Sequence, residues 1–198
     1  MFKIYFEYGR EHILDLRHGY DHILFLIALC ALYLMRDWKK VLILVTAFTV
    51  GHSITLALSA FQVIPVNEPL IEFLIPATIF VTAVSNLFKN EEGLSDRKVQ
   101  MNYLYALFFG LIHGMAFSSQ FRAIMGRNKS IVSQLFAFNL GIEVGQIIIV
   151  VIFLTVSFIL VDLLTLDRRD WKMVISSAVA GIALLLMTER WPAKWPWE

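Results

Sequence analysis

Val41-Leu42-Ile43-Leu44-Val45-Thr46-Ala47-Phe48-Thr49-Val50-Gly51-His52-Ser53-Ile54-Thr55-Leu56-Ala57-Leu58-Ser59-Ala60-Phe61 runs without an Asp, Glu, Lys or Arg. A bilayer core about 30 Å thick takes roughly 20 helical residues to cross, so this stretch reads as a transmembrane helix with a histidine in its middle. Five more apolar stretches follow the same rule. The sequence therefore predicts an all-α, polytopic integral membrane bundle of about six transmembrane helices, over about 12–35, 41–61, 69–88, 101–121, 131–161 and 173–188. We read 1–198 as a single transmembrane domain whose partner along its length is the lipid bilayer. Composition agrees: 58% of the 198 residues are hydrophobic and 17% charged, against about 45–50% and 25% in soluble domains. The net charge of +1 supplies no basic face for a phosphate backbone, which argues against nucleic acid. The single cysteine, Cys30, excludes a disulfide within the chain and a metal site built on paired thiolates. Residues 1–12 lack a basic stretch leading into an apolar run with a cleavage site, so no removable signal peptide is expected.

Connections of one parity carry nine Lys+Arg and the remaining segments eight, which tips both termini slightly toward the outside of the cytoplasm. The fifth run, 31 residues over 131–161, exceeds a perpendicular crossing; it calls for tilt, an extension past the membrane, or a break near Gly141 and Gly145. Three tryptophans in 191–197 read as an interfacial anchor.

Ionisable groups inside a bilayer are costly and are functional candidates by default. His12, Asp15, His18 and Asp21 recur every three residues, His22 stands four beyond His18, and on a helix the five would share one broad face. A metal site and an interfacial polar collar both remain open for His12, Asp15 and His18; Asp21 and His22 lie deepest. His52 stands between Gly51 and Ser53, but no strand-to-helix elbow or second glycine accompanies the serine, which argues against a serine hydrolase. Thr49 and Ser53 are assigned to backbone carbonyls or neighbouring helices. His113 lies between Gly110 and Gly114, small residues that let another helix approach. Asn139, Glu143 and Gln146 form a stripe at i, i+4 and i+7, and Glu72 and Asn86 fall on one side of the third crossing; Glu72 is readable equally as interfacial or as facing the bundle. The histidines and carboxylates are nitrogen and oxygen donors of the kind that bind divalent transition metals.

The set of motifs Gly19-Tyr20-Asp21-His22-Ile23-Leu24-Phe25, Phe48-Thr49-Val50-Gly51-His52-Ser53, Ile71-Glu72 with Asn86, Phe109-Gly110-Leu111-Ile112-His113-Gly114 and Phe138-Asn139-Leu140-Gly141-Ile142-Glu143 closely resembles the HupE/UreJ family of hydrogenase and urease accessory membrane proteins. The resemblance covers roughly residues 9 to 150. It implies a multi-pass protein of the bacterial inner membrane, a nickel or cobalt permease, with metalloenzyme maturation proteins as partners. Carried over by position, it implies Asp21, His22, His52, His113 and Glu143 as metal ligands. Outer ligands are then His12, His18, Glu72, Asn139 and Gln146, supported by Asp15, Ser53, Thr49 and Asn86. Against the family pattern, His12 lies further upstream of the Asp-His pair and a histidine-rich later segment is missing, so the identity of the ion (Ni, Co or Zn) stays open.

Three functions follow from the same residues. A permease needs polar groups strung across the bundle, with sites weak enough to release an ion. An intramembrane zinc hydrolase needs a compact set of histidines with an open position for water. An accessory protein needs only internal polar pairing. We expect a transporter ahead of an enzyme.

Overall fold

The structure, a computed structural model, describes residues 1–16, 19–64, 66–89, 96–117, 121 and 131–192. His18 and 193–198, with most of the tryptophan-rich tail, lie outside the described residues. Seven α-helices appear among those described: α1 (Phe2–Leu14), α2 (Tyr20–Cys30), α3 (Trp38–Ala60), α4 (Glu68–Leu87), α5 (Asp96–Ala116), α6 (Ile131–Ser157) and α7 (Arg168–Glu189). The protein is an all-helical membrane bundle. Among the described residues, four segments are long and apolar enough to span a bilayer, Met35–Ser59, Glu68–Leu87, Val132–Leu163 and Arg168–Glu189. The 21-residue α5 is long enough but carries Gln100, Asn102 and His113, which interrupt its apolar character.

The first expected crossing, 12–35, is two helices. The chain turns at Asp15, which has extended backbone at φ −69° and ψ 108°, and the Gly19 amide then donates to the Asp15 carbonyl at 2.8 Å. A Cβ on Gly19 would crowd the carbonyl oxygen of His12, so glycine is what lets the turn close. The 11-residue α2 is about 16 Å long at 1.5 Å per residue, roughly half a bilayer core. Ahead of it, α1 is a helix that hydropathy alone does not reveal, because Lys3, Glu7, Arg10 and Glu11 interrupt its apolar positions. It packs lengthwise on α6, with Gly141 and Gly145 set against the backbone of Arg10 and the side chain of Ile13. Those glycines therefore seat a neighbour and do not break α6, whose extra length instead passes into a π-helical turn at Phe158–Leu163.

The other intimate pair is α3 and α5. A Cβ on Gly51 would strike the Leu107 carbonyl, and one on Gly110 or Gly114 would strike the carbonyls of Phe48 or His52. Backbones this close leave a histidine on each helix facing inward. Two apolar clusters result, a large one joining α2 to α7 around Phe25, Phe48 and Ile79 and a smaller one under α1 around Ile13, Phe121 and Phe138. The histidines lie between them.

Candidate metal centre

Four helices each deliver one imidazole to this junction: His12 from α1, His22 from α2, His52 from α3 and His113 from α5. His22 is central, its ring centroid 4.7 Å from His12, 6.0 Å from His52 and 5.3 Å from His113. The Phe117 ring lies tilted with its centroid 3.9 Å from that of His12 on one side, and Phe25 and Phe48 each lie 5.2 Å from His113 on the other. His12, His22 and His52 can each offer a ring nitrogen such that all three lie within 4.8 Å of one another. His22, His52 and His113 are buried, and His12 partly so.

Buried polar atoms are normally hydrogen-bonded, and an exception asks for an explanation. Here both ring nitrogens of His22 and of His52, with Nε2 of His12 and Nδ1 of His113, are buried without a hydrogen-bond partner among the described residues. The remaining nitrogen of His113, Nε2, lies 3.3 Å from Thr78 Oγ1. Converging imidazoles with uncommitted nitrogens fit a divalent transition metal, for which neutral imidazole is a favoured ligand.

The carboxylates sit elsewhere. Asp21 Oδ2 accepts a 2.9 Å charge-assisted hydrogen bond from Arg190, just beyond α7, and Arg190 also donates to the Tyr20 hydroxyl at 2.8 Å. Burial works against the Arg190 charge, but the hydrogen bond and charge of Asp21 outweigh it and raise its pKa above the usual arginine value. Asp21 Oδ1 remains buried without a partner among the described residues, directly before His22 in the chain. Glu143 accepts from Thr46 at 2.6 Å, and Gln146 accepts from Thr49 at the same distance. Thr46, Thr49 and His52 follow at intervals of three on α3, so a polar seam between α3 and α6 leads to the histidines.

Of the remaining candidates, Asn139 keeps a buried, unpartnered Oδ1 among the described residues, and Ser53 donates to the Thr49 carbonyl. Asn86 donates to the Ala28 carbonyl at 2.7 Å, fixing α4 to α2. Asp15 forms the α1–α2 turn, and Glu72 is exposed on α4. Arg190 had no signal in the sequence: it follows an apolar helix, where a cation is expected at the interface, and its partner is 169 positions away.

The family described as HupE / UreJ protein matches residues 1–193. The chain belongs to the HupE/UreJ family. No curated protein and no solved structure matches it. Within this HupE/UreJ chain, the histidine triad joins the two amino-terminal helices to α3, so its assembly depends on the turn that separates α1 from α2.

Proposed function

We propose that this HupE/UreJ chain is a permease of the bacterial inner membrane that carries a divalent transition-metal ion of the nickel or cobalt type. The observation that carries the reading is the convergence of His12, His22 and His52, buried nitrogens to the centre and without competing hydrogen bonds. In this reading the three imidazoles bind the ion, His113 stands beside them as a further nitrogen donor, and Asp21 orients the start of α2. The α3–α6 seam of Thr46–Glu143 and Thr49–Gln146 supports transport, because it continues polar groups beyond a single compact site. Release requires binding that is not too tight, and a site without thiolates is consistent with that.

The triad also suits a zinc hydrolase with an open coordination position, so the experiment separates the two. Purified protein in proteoliposomes is expected to take up Ni²⁺ or Co²⁺, and His22→Ala or His52→Ala is expected to reduce uptake to the protein-free level. Losing a ligand is expected to exceed the 10- to 100-fold cost typical of losing an outer-shell partner. Uptake unchanged in both variants overturns the permease. One tightly held, non-exchanging zinc with no uptake assigns the site to the enzyme.

A further inference from the structure

We propose that Thr78 is a positioning residue that fixes the tautomer of His113, so that Nδ1 of this imidazole becomes the next binding position for an ion leaving the triad. This rests on the permease reading. A neutral imidazole carries one N–H and one lone pair, and the nitrogen with the lone pair is the one that can bind a metal. Which nitrogen that is depends on the hydrogen bond the other one makes.

At His113 the partner decides. Thr78, buried on α4, has one hydroxyl hydrogen and donates it to the carbonyl of Ile75 at 2.7 Å. Its oxygen lies 3.3 Å from His113 Nε2; with its hydrogen already committed, the hydroxyl accepts in that contact. Nε2 therefore carries the N–H and Nδ1 the lone pair. Nδ1 is buried without a hydrogen-bond partner among the described residues. Phe25 and Phe48, whose rings lie 5.2 Å from His113, offer no N–H or O–H to it. The polar ring beside it is His22, 5.3 Å away. Nitrogens of His12, His22 and His52 lie within 4.8 Å of one another, and His113 stands outside that group. An ion at the triad thus has a further lone pair ahead of it, past the His22 ring that neighbours both. Metal-binding histidines commonly donate their second N–H to a fixed acceptor, which orients the ring. A threonine hydroxyl tied to its own helix is such an acceptor, and it brings α4, which carries no histidine, into the site.

Nitrogen-15 NMR of the full-length protein in liposomes, labelled at histidine and free of metal, reads the tautomer directly, with His113→Asn identifying the resonances. We expect a protonated Nε2 and an unprotonated Nδ1 at His113. Diamagnetic Zn²⁺ is expected to shift the Nδ1 resonance and to leave Nε2 protonated. Thr78→Val keeps the branched shape and removes the hydroxyl. It is expected to let the Nδ1–H tautomer appear and to lower Ni²⁺ or Co²⁺ uptake into proteoliposomes by about 10- to 100-fold, the usual cost of losing an outer-shell partner. Thr78→Ser is expected to restore both. A proton on Nδ1 in the wild type, an Nδ1 resonance indifferent to Zn²⁺, or a Thr78→Ser protein that behaves as Thr78→Val does overturns the proposal. So does Thr78→Val with tautomer and uptake unaltered, which reduces Thr78 to packing. If the wild type takes up no metal, the permease reading fails, and the position of the proton together with the Zn²⁺ shift still decides for or against Nδ1 as a metal-binding nitrogen.

Discussion

Arg190 anchors the residue beside the central histidine from the far end of the chain. Its ion pair with Asp21 is largely buried, with side-chain exposures of 23% and 10%. Removing one partner leaves the other as an uncompensated charge, at a cost of about 3–5 kcal/mol in well-buried pairs. Thermal unfolding of Arg190→Ala is expected to show a loss near the lower end of that range, because some solvent reaches the pair. The double variant Arg190→Leu with Asp21→Leu is expected to recover most of it; a double variant no better than the single one makes the pair irrelevant to stability. The family resemblance points to Asp21 as a ligand, and the pairing with Arg190, 169 positions away, has no counterpart in the sequence pattern. His22 and His52 were legible for a simpler reason: an imidazole in the middle of an apolar helix has no inexpensive alternative to an internal role. Which imidazoles meet is a matter of helix packing. That is why His12, read as peripheral, belongs to the triad, while His113, read as central, turns one nitrogen toward Thr78.

Among the elements, α2 is held at both ends by α7, through Arg190 at Tyr20 and Asp21 and through Arg168 at the Leu32 carbonyl. A half-length helix gains little from lipid contact, so these ties and its apolar packing fix its position. The α3–α5 contact is the other determinant, and its glycines offer a direct measurement. Gly114→Ala places a methyl group against the His52 carbonyl and Thr55 Oγ1. Overpacking of this sort costs about 1–3 kcal/mol, and since the obstacle is backbone we expect the upper end in a denaturation experiment. Gly181→Ala, where nothing lies within 4 Å, is expected to be neutral or to stabilise α7 by up to about 1 kcal/mol. Equal effects at the two positions would falsify the close approach. Hydropathy located α3, α4, α6 and α7 because it detects long unbroken apolar runs. It could not separate α1 from α2, since the dividing turn is made by Asp15 and Gly19, and it could not see α1, whose apolar positions are interrupted by Lys3, Glu7, Arg10 and Glu11.

For the whole molecule, a histidine triad shared by α1, α2 and α3 would make the proposed metal binding a tie between distant parts of the chain. Ligand that binds only the folded state stabilises by about 2.7 kcal/mol at a hundred times its Kd. Ni²⁺ is therefore expected to raise the Tm of the purified protein, and a chelator to return it to the starting value. Lowering the pH is expected to shrink this increment, because imidazoles must lose their protons to bind a metal; His52→Ala is expected to abolish it at every pH. An increment that persists in His52→Ala places the ion elsewhere. The donors of the triad carry no negative charge, and Asp21 is already neutralised by Arg190. A divalent ion bound there, as proposed, would keep its full double charge. In the proposed permease, the electrical potential across the membrane would act on that charge with about 4.6 kcal/mol per 100 mV over a complete crossing, and on a site partway across with the matching fraction, which would make occupancy of the triad a function of voltage.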